Sequence, residues 1–297
     1  MADAIQLFLN FAWAASGLAL VALSLGLIFG ELKIVNIAQG DLMMVGAYSM
    51  YALRDLPFLL ALVITLVIGF VLGLVLERGV LRWVYDKGFM ATLLASWGIG
   101  LILEQIAQAL FTATEHGVES PVHGAMNIGG VAYPIYNVLA AGGMIAAIVI
   151  TLLLVYKTPL GLRLRASIDN IEMASVLGIS PPRMFALVFA LATALAVLAG
   201  ALVAPTIGIT PTLGLSFLAP AFFAVLIARQ GSVSGPVAGA VLVQLVFTLL
   251  QDYLNVTVAQ VVLFALLALL VAIRPQGVSW SWARTRKGGS HGHVKTA

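Results

Sequence analysis

Nine apolar runs along the chain constrain its fold more than any other feature of the sequence. An α-helix needs about 20 apolar residues to cross roughly 30 Å of hydrocarbon. Five of the runs reach that length, and four are shorter or interrupted. We therefore predict an all-α polytopic membrane protein with eight or nine transmembrane helices, one or more of them broken or short. The runs lie at residues 7–29, 42–53, 57–76, 90–113, 134–156, 184–204, 216–228, 236–251 and 258–273. Whether 42–53 and 216–228 cross fully is left open.

The composition excludes a soluble protein. Hydrophobic residues make up 62% of the chain and charged residues only 9%, whereas a soluble domain carries about 25% charged residues. So few polar side chains cannot cover a water-soluble particle of 31.2 kDa. The chain has no cysteine, and none of its four histidines lies inside a long apolar run. We therefore expect no disulfide and no metal site.

The basic residues are segregated between alternate connections. Loops 77–89 and 157–183 carry seven of the 15 Lys and Arg residues, and the chain from residue 274 carries five. Loop 114–133 contains none. Because cytoplasmic loops are enriched in Lys and Arg, alternating the nine segments places 14 of the 15 inside and only Arg54 outside. The net charge of +3 thus indicates topology and not a nucleic-acid partner; we expect an external N-terminus and a cytoplasmic C-terminus.

A first group of polar residues interrupts the apolar pattern within residues 31–46. Asn36, Gln39 and Asp41 lie there between two apolar segments. Non-helical backbone at membrane depth survives only when it is buried in protein or lines a wet cavity. The segment is therefore either a broken helix on the translocation path of a small polar solute, or a short cytoplasmic turn in which Asp41 caps the next helix.

A second group lies in the run 90–113, where Glu104 is near the middle. An ionisable residue inside a membrane segment is by default a functional hypothesis. Residues 101, 104, 105 and 108 share one helical face, which we expect to contact protein or water and not lipid. Interhelical hydrogen bonding is the structural alternative. The candidates for the translocation path are Asn36, Gln39, Asp41, Glu104 and Gln105.

The loop 157–183 contains a charged segment that we predict to be helical from Arg165 to Leu177. The stretch 178–182 supplies Gly and Pro that end a helix. Arg165, Asp169 and Glu172 have the spacing of neighbours that pair along a helix. Such a helix adds nothing to a membrane fold, so it is either an ordinary solvated helix or a docking site for a soluble partner.

This loop resembles the cytoplasmic loop by which the permeases of ABC importers dock on their ATPase subunits. The pattern Glu-Met-Ala-x-x-x-Gly at 172–178 is similar to that family's Glu-Ala-Ala-x-x-x-Gly. A wider pattern resembles branched-chain amino acid permeases of the LivH type. The matching loop residues are Thr158, Gly161, Arg165, Ala166, Ala174, Gly178 and Ile179. A second signature of the same family is matched near the start of the chain, and shorter motifs are matched at residues 77–78 and 274–277. The residues that match the signature are Gly30, Asn36, Ala38, Gly40, Gly46, Ala47 and Tyr48.

Other positions depart from that pattern. Residues 77–88 and 92–103 look more like the urea and short-chain amide permeases of the same superfamily. Glu104 replaces a position that is commonly Gln, and Arg229-Gln230-Gly231 replaces a Gly-Gly pair. The resemblance implies that the transported solute is a branched-chain or other hydrophobic amino acid, or alternatively urea or a short-chain amide. A passive small-solute channel is the alternative from a different class.

The resemblance implies one permease subunit of a machine in the bacterial cytoplasmic membrane. Its partners would be a second, paralogous permease subunit, two cytosolic ATPases, an extracytoplasmic solute-binding protein and the lipid bilayer. The chain contains no G-x-x-x-x-G-K-[ST] phosphate loop, so we expect no enzyme activity and no cofactor of its own, ATP being bound by the partners. We expect one transmembrane domain, 1–283, with a coupling loop at 157–183 and a flexible cytoplasmic tail at 284–297. The coupling residues implied by the resemblance are Gly161, Arg165, Ala166, Glu172, Ala174 and Gly178.

Overall fold

A computed structural model describes residues 2–32, 36–228 and 232–273. This part of the chain forms eleven α-helices, a two-stranded antiparallel hairpin and two short 3₁₀ turns at Leu81–Trp83 and Tyr85–Lys87. The helices are α1 (Ala2–Leu32), α2 (Gln39–Ala52), α3 (Phe58–Gly79), α4 (Phe89–Phe111), α5 (Ile135–Lys157), α6 (Pro159–Asp169), α7 (Ile171–Val176), α8 (Pro181–Val203), α9 (Leu215–Ile227), α10 (Gly235–Tyr253) and α11 (Val256–Ile273). The hairpin strands are β1 (Ala125–Ile128) and β2 (Val131–Pro134).

Six helical segments in the described ranges are long and apolar enough to cross a membrane. The predicted helical, multi-pass membrane architecture is therefore confirmed in outline, while the number of eight or nine crossings stays a prediction. With 13 and 14 residues, α9 and α2 span only about 20 Å each. The six segments are Asp3–Gly30, Phe58–Lys87, Phe89–Phe111, Ile135–Lys157, Pro181–Val203 and Gly235–Tyr253.

Two of the long helices form the centre of the bundle. Helix α8 packs on α1, α2, α3 and α5, and α1 also packs on α5, α9 and α10. The outer helices instead present large apolar side chains on their free surfaces, including Leu59 on α3, Ile102 on α4 and Ile150 on α5. A helix that is apolar on every side must be buried or face lipid. The apolar outer surface is thus the one expected of a protein solvated by lipid.

Glycines bring the backbones of α2 and α8 into contact. A Cβ atom added at Gly46 would overlap the carbonyl oxygen of Val197, and one added at Gly200 would overlap that of Met43. Gly69 and Gly73 of α3 likewise approach α8 closely, at Val197 and at Ala190 and Thr193. Small residues allow such close approach of helices in membranes. The short helix α2 is therefore held against the central helix along most of its length.

The connections between helices gather at two ends of the bundle. At the hairpin end, formed by connections 53–57, 112–134 and 204–214, the backbones of His116 and Ile209 exchange hydrogen bonds of 3.0 and 2.8 Å. At the α7 end, formed by 80–88, 158–180 and 232–234, the Tyr156 hydroxyl donates to Ser234 Oγ over 3.4 Å. The basic loops 77–89 and 157–183 thus share one end, as the segregation of charge predicts.

Candidate translocation site and docking loop

The chain before α2 is buried at half the depth of the bundle. The Gln39 side chain is fully buried, and its Nε2 donates to Ser24 Oγ over 2.9 Å and to the carbonyl of Ala192 over 3.2 Å. Asn36 Nδ2 donates to Gln39 Oε1 over 2.9 Å. Because Ala192 is the central residue of α8, the described part of this segment is a break at the depth of the membrane and not a turn at its surface.

The N-termini of two short helices meet at this break. Gly40, in the first turn of α2, touches Gly214, which directly precedes α9; a Cβ atom at Gly40 would lie 2.7 Å from the Gly214 carbonyl oxygen. The N-cap residue of α2 is Ala38, and neither N-terminus receives a side-chain cap. Asp41 therefore does not cap α2. Helix N-termini carry partial positive charge, and transporters built from discontinuous helices use them to hold anionic groups.

Two carboxylates lie beside the break, on facing helices. Asp41 is 8% exposed and packs so closely on α4 that a Cβ atom at Gly100 would overlap its Oδ2. Glu104, one turn further along α4, is its charged neighbour. Gln108 Nε2 donates to Glu104 Oε1 over 3.2 Å. The structure thus brings Asp41 and Glu104 together, with Gln108 supporting the latter.

The five path candidates fall into two groups. Gln39 donates hydrogen bonds to α1 and α8 and accepts one from Asn36, whereas Asp41 and Glu104 lie where α2 meets α4. Gln105 is exposed on the free side of α4. We expected this face of α4 to contact protein or water. In the single chain it is half-buried at Glu104 and exposed at Gln105.

Sequence reasoning missed the residues that support the break. Ser96 Oγ accepts a hydrogen bond from the Ile37 backbone N–H over 3.2 Å, and Ser24 Oγ accepts one from Gln39 Nε2. Both serines are buried. A lone serine in an apolar run indicates a buried hydrogen bond. The sequence does not identify the partner, because the partner of each serine lies in another segment. Gly214 carried no local signal at all.

Aromatic side chains join the hairpin end to the C-terminal half of α2. The rings of Tyr48 and Phe111 stack with centroids 4.9 Å apart, and those of Tyr51 and His116 lie 4.6 Å apart. His116 Nε2 also contacts the carbonyl oxygen of Phe111. A movement of the connection 112–134 would therefore reach α2, whose other end carries Asp41.

The hairpin end also contains a large polar cavity. Its volume is about 730 Å³, and it lies between the α2–α3 connection and residues 117–123. Charged and polar groups from both segments line it, including Arg54, Asp55, Glu119 and His123. In the described residues, no three His, Cys, Asp or Glu side chains are grouped so that they could hold a metal ion.

The predicted single helix from Arg165 to Leu177 is wrong, because the chain breaks at Asn170. This residue is extended, with φ −157° and ψ 103°, and its Oδ1 accepts a hydrogen bond from the Met173 N–H over 2.9 Å. The asparagine side chain competes with the helical backbone and caps a new helix. The predicted end is confirmed: Gly178 has φ +82°, and the Ile179 N–H donates to the Ala174 carbonyl over 3.0 Å.

The residues at the start of α6 fasten this loop to α5. A Cβ atom at Gly161 would overlap the Val155 carbonyl oxygen, and Thr158 Oγ1 accepts the Gly161 N–H over 3.2 Å. The Arg165 guanidinium lies 5.3 Å from the ring centre of Tyr156, where it makes a cation–π contact. The predicted pairing of Arg165 with Asp169 stays a prediction, because the Asp169 side chain lies outside the described part of the structure.

The part of the loop around α7 is more exposed to solvent. Ala166 is half-buried and Ala174 is buried, but Glu172 is exposed. Three apolar side chains beside it are also exposed, at 58% for Met173, 81% for Val176 and 71% for Leu177. The charges of this loop are visible in the sequence, whereas the exposure of these apolar side chains depends on the tertiary structure.

Some of the sequence predictions fall outside the described residues. The tail 284–297, the end of the predicted domain at residue 283 and the motif 274–277 all lie beyond residue 273. The triplet 229–231 and residues 33–35 are likewise not described. The predicted position of the C-terminus therefore stays a prediction.

Comparison with known proteins gives matches along nearly the whole chain. It is 26% identical over 292 residues to the high-affinity branched-chain amino acid transport system permease protein LivH of Escherichia coli (strain K12), covering 92% of this chain and 94% of that protein. The corresponding permease protein BraD of Pseudomonas aeruginosa is 24% identical over 292 residues, covering 92% and 95%. No solved structure matches. Residues 7–272 match the family described as branched-chain amino acid transport system / permease component. The chain belongs to this family of permeases.

Proposed function

We propose that the chain is the membrane-spanning permease subunit of an ATP-driven importer for branched-chain or other hydrophobic amino acids in the bacterial cytoplasmic membrane. The observation that carries the proposal is the meeting of two helix N-termini beside Asp41 and Glu104. Family membership and the transport systems for which the relatives are named support the substrate class.

The charges at the break suit a zwitterionic solute. The N-termini of α2 and α9 favour a carboxylate, and the carboxyl groups of Asp41 and Glu104 favour an ammonium group. An amino acid carries both groups within one small molecule, whereas urea is uncharged and gains nothing from either. In this proposal Asp41 and Glu104 face the solute at the break, and Asn36 and Gln39 hold the break in place. Gln105 lines the path only where the second permease subunit meets α4.

The break also supports the predicted number of crossings. The connection 204–214 runs from Ile209, beside His116 at the hairpin end, to Gly214 beside Gly40 at half depth. Helix α9 then completes that passage, and α2 completes another from the break to the hairpin end. We propose nine passages in all within one domain, 1–283, two of them discontinuous, with the hairpin end outside and the α7 end in the cytoplasm.

The loop 157–183 is proposed as the docking site for a cytosolic ATPase. Helix α7 offers Glu172 among exposed Met173, Val176 and Leu177, an apolar surface with a charged centre. Gly161, Arg165 and Ala166 hold the loop on α5, and Ala174 and Gly178 shape its far end. Helix α8 begins directly after this loop and packs on α2. A displacement of α7 would therefore be transmitted by α8 to α2 and to the break.

The remaining surfaces are assigned to the other partners. The second permease subunit is proposed to cover the free side of α4, where Gln105 is exposed among apolar residues such as Leu101 and Ile106. The solute-binding protein is proposed to dock on the connection 112–134 at the hairpin end. The chain itself holds no nucleotide, and ATP acts through the partner subunits.

Uptake into proteoliposomes tests the proposal. The assembled transporter, with both ATPases and binding protein, is supplied with labelled leucine or labelled urea, with and without ATP. We expect ATP-dependent accumulation of leucine and none of urea. Accumulation of urea alone would favour the amide-permease alternative, and equilibration of solute without ATP would favour a passive channel; either result contradicts the proposal.

A further inference from the structure

An apolar pocket adjoins the break on the side that leads toward the α7 end. It has a volume of about 480 Å³ and lies between the first turns of α4 and the helix α9, with one residue of α1 and the residue before the N-cap of α2 completing its wall. The lining side chains that the structure describes are all aliphatic or aromatic, and none of the path candidates is among them. The volume falls within the range of pockets that hold small molecules.

Three lining residues connect the pocket to the break. Leu25 directly follows Ser24 in α1, and Leu215 directly follows Gly214 at the start of α9. The third, Ile37, is itself part of the break, and its backbone N–H donates to α4 over 3.2 Å. The pocket therefore begins at the depth of the break, beside the N-termini of α2 and α9.

The backbone around Ile37 argues against lipid as the occupant of the pocket. Residues 36–38 are not helical, and non-helical backbone at membrane depth occurs only where it is buried in protein or lines a wet cavity. Since Ile37 lines the pocket, the pocket belongs to the interior of the transporter and not to its lipid-facing surface. Phe89 and Leu215, which are 50% and 51% exposed, border its opening.

The pocket and the break complement different parts of one solute. The break offers carboxyl groups and helix N-termini, which favour the two charged groups that every amino acid carries. The pocket offers no polar side chain among its described lining residues, so a polar solute side chain would lose its hydrogen bonds to water there. We propose that the pocket holds the aliphatic side chain of the transported amino acid and thereby selects branched-chain solutes; this inference rests on the proposed function of the break.

Ala219 limits the size of the pocket. It lies in the middle of the α9 stripe at 215, 218, 219 and 222, and it is the one small residue among the described lining residues. Its side chain is half-buried. Ala219→Phe places a ring in the space proposed for the solute side chain, so it should exclude leucine more strongly than alanine.

Uptake by the assembled transporter in proteoliposomes tests the proposal. Labelled leucine and labelled alanine are each supplied at a concentration that saturates the binding protein, and the ratio of their ATP-dependent uptake rates is measured. Because the same binding protein serves the native permease and its variants, a change in this ratio arises in the permease. We expect Ala219→Phe to lower the leucine-to-alanine ratio about tenfold. Ala146→Phe, the same change on the exposed surface of α5, should keep the native ratio.

A second variant enlarges the pocket and keeps the test valid if Ala219→Phe does not assemble. Phe222→Ala removes a half-buried ring from the same wall. The space left by the ring should admit a larger side chain, so the ratio of phenylalanine uptake to leucine uptake should rise about tenfold.

A thiol placed in the pocket identifies its occupant. The chain contains no cysteine, so Ala219→Cys carries the only thiol of this subunit. A water-soluble thiol reagent should modify it in the complete complex, and free leucine should slow the modification. Each buried methylene group strengthens binding about fourfold, so alanine, with three carbon atoms fewer, should need a roughly fiftyfold higher concentration for the same effect.

The outcomes distinguish a failure of the pocket from a failure of the proposed function. A native complex that accumulates no leucine contradicts the proposed function itself. Accumulation of leucine by the native complex, with native uptake ratios in both pocket variants, contradicts only the assignment of the pocket. Modification of the introduced thiol solely by a lipid-soluble reagent would make the pocket a lipid-facing surface. Modification solely after removal of the second permease subunit would make it part of the contact between subunits, and either result overturns the proposal.

Discussion

The contact between α2 and α8 predicts that one added methyl group will destabilise the protein strongly. In Gly200→Ala the new Cβ atom would overlap the backbone carbonyl oxygen of Met43 and approach the Ala47 nitrogen to 3.2 Å. Neither atom belongs to a flexible side chain that could turn away. The two helices must therefore separate, and overpacking of this kind costs about 2 kcal/mol.

A matched control separates this clash from the effect of glycine itself. Gly142 lies in α5, and nothing stands within 4 Å of a Cβ atom added there. Gly142→Ala should therefore gain up to about 1 kcal/mol from better helix propensity. The two variants should differ by about 3 kcal/mol, which corresponds to roughly 6–12 °C in the midpoint of thermal unfolding.

The assay is thermal unfolding of the purified protein in detergent, followed by size-exclusion chromatography of the fraction that stays folded. Gly46→Ala tests the same contact from the other helix, because its Cβ atom would overlap the Val197 carbonyl oxygen. Both variants should unfold well below the native protein. Equal midpoints of thermal unfolding for Gly200→Ala and Gly142→Ala would refute the close backbone contact between α2 and α8, and with it the position of α2 in the bundle.

Three further predictions concern the site and the loop. Gln39→Ala removes three side-chain hydrogen bonds and leaves the buried Asn36 amide without its partner, so it should lower the free energy of unfolding by about 1–3 kcal/mol. Gln105→Ala on the exposed surface should change it by under about 0.5 kcal/mol; chemical denaturation compares the two. Asp41→Asn combined with Glu104→Gln should reduce leucine uptake at least about tenfold while the binding protein still stimulates ATP hydrolysis; unchanged uptake would remove these residues from the path. Glu172→Arg should uncouple ATP hydrolysis from uptake, and retained coupling in that variant would contradict docking at α7.

Local sequence patterns predicted those features that depend only on neighbouring residues. Gly178 ended the loop helix as expected, because a positive φ there is tolerated only by glycine and a few polar residues. The break at Asn170 was missed although an asparagine in a charged helix is a known capping residue. The hairpin was missed as well; its turn, Gly129-Gly130, has φ values of +60° and +90° and is a recognisable two-residue turn.

The long apolar runs and the segregation of charge are properties of the sequence alone. Lipid solvation requires such runs, and every hydrogen bond of a helix closes within its own segment, so membrane class and candidate spans could be predicted without a structure. The break could not. Gly40 and Gly214 lie 174 positions apart, and only the packing of α2 on α8 and of α9 on α1 and α10 brings their backbones together. The same packing, and no local pattern, decided that Gln39 is bonded inside the bundle, that Asp41 meets Glu104, and that Ile37 and Ala219 line one pocket.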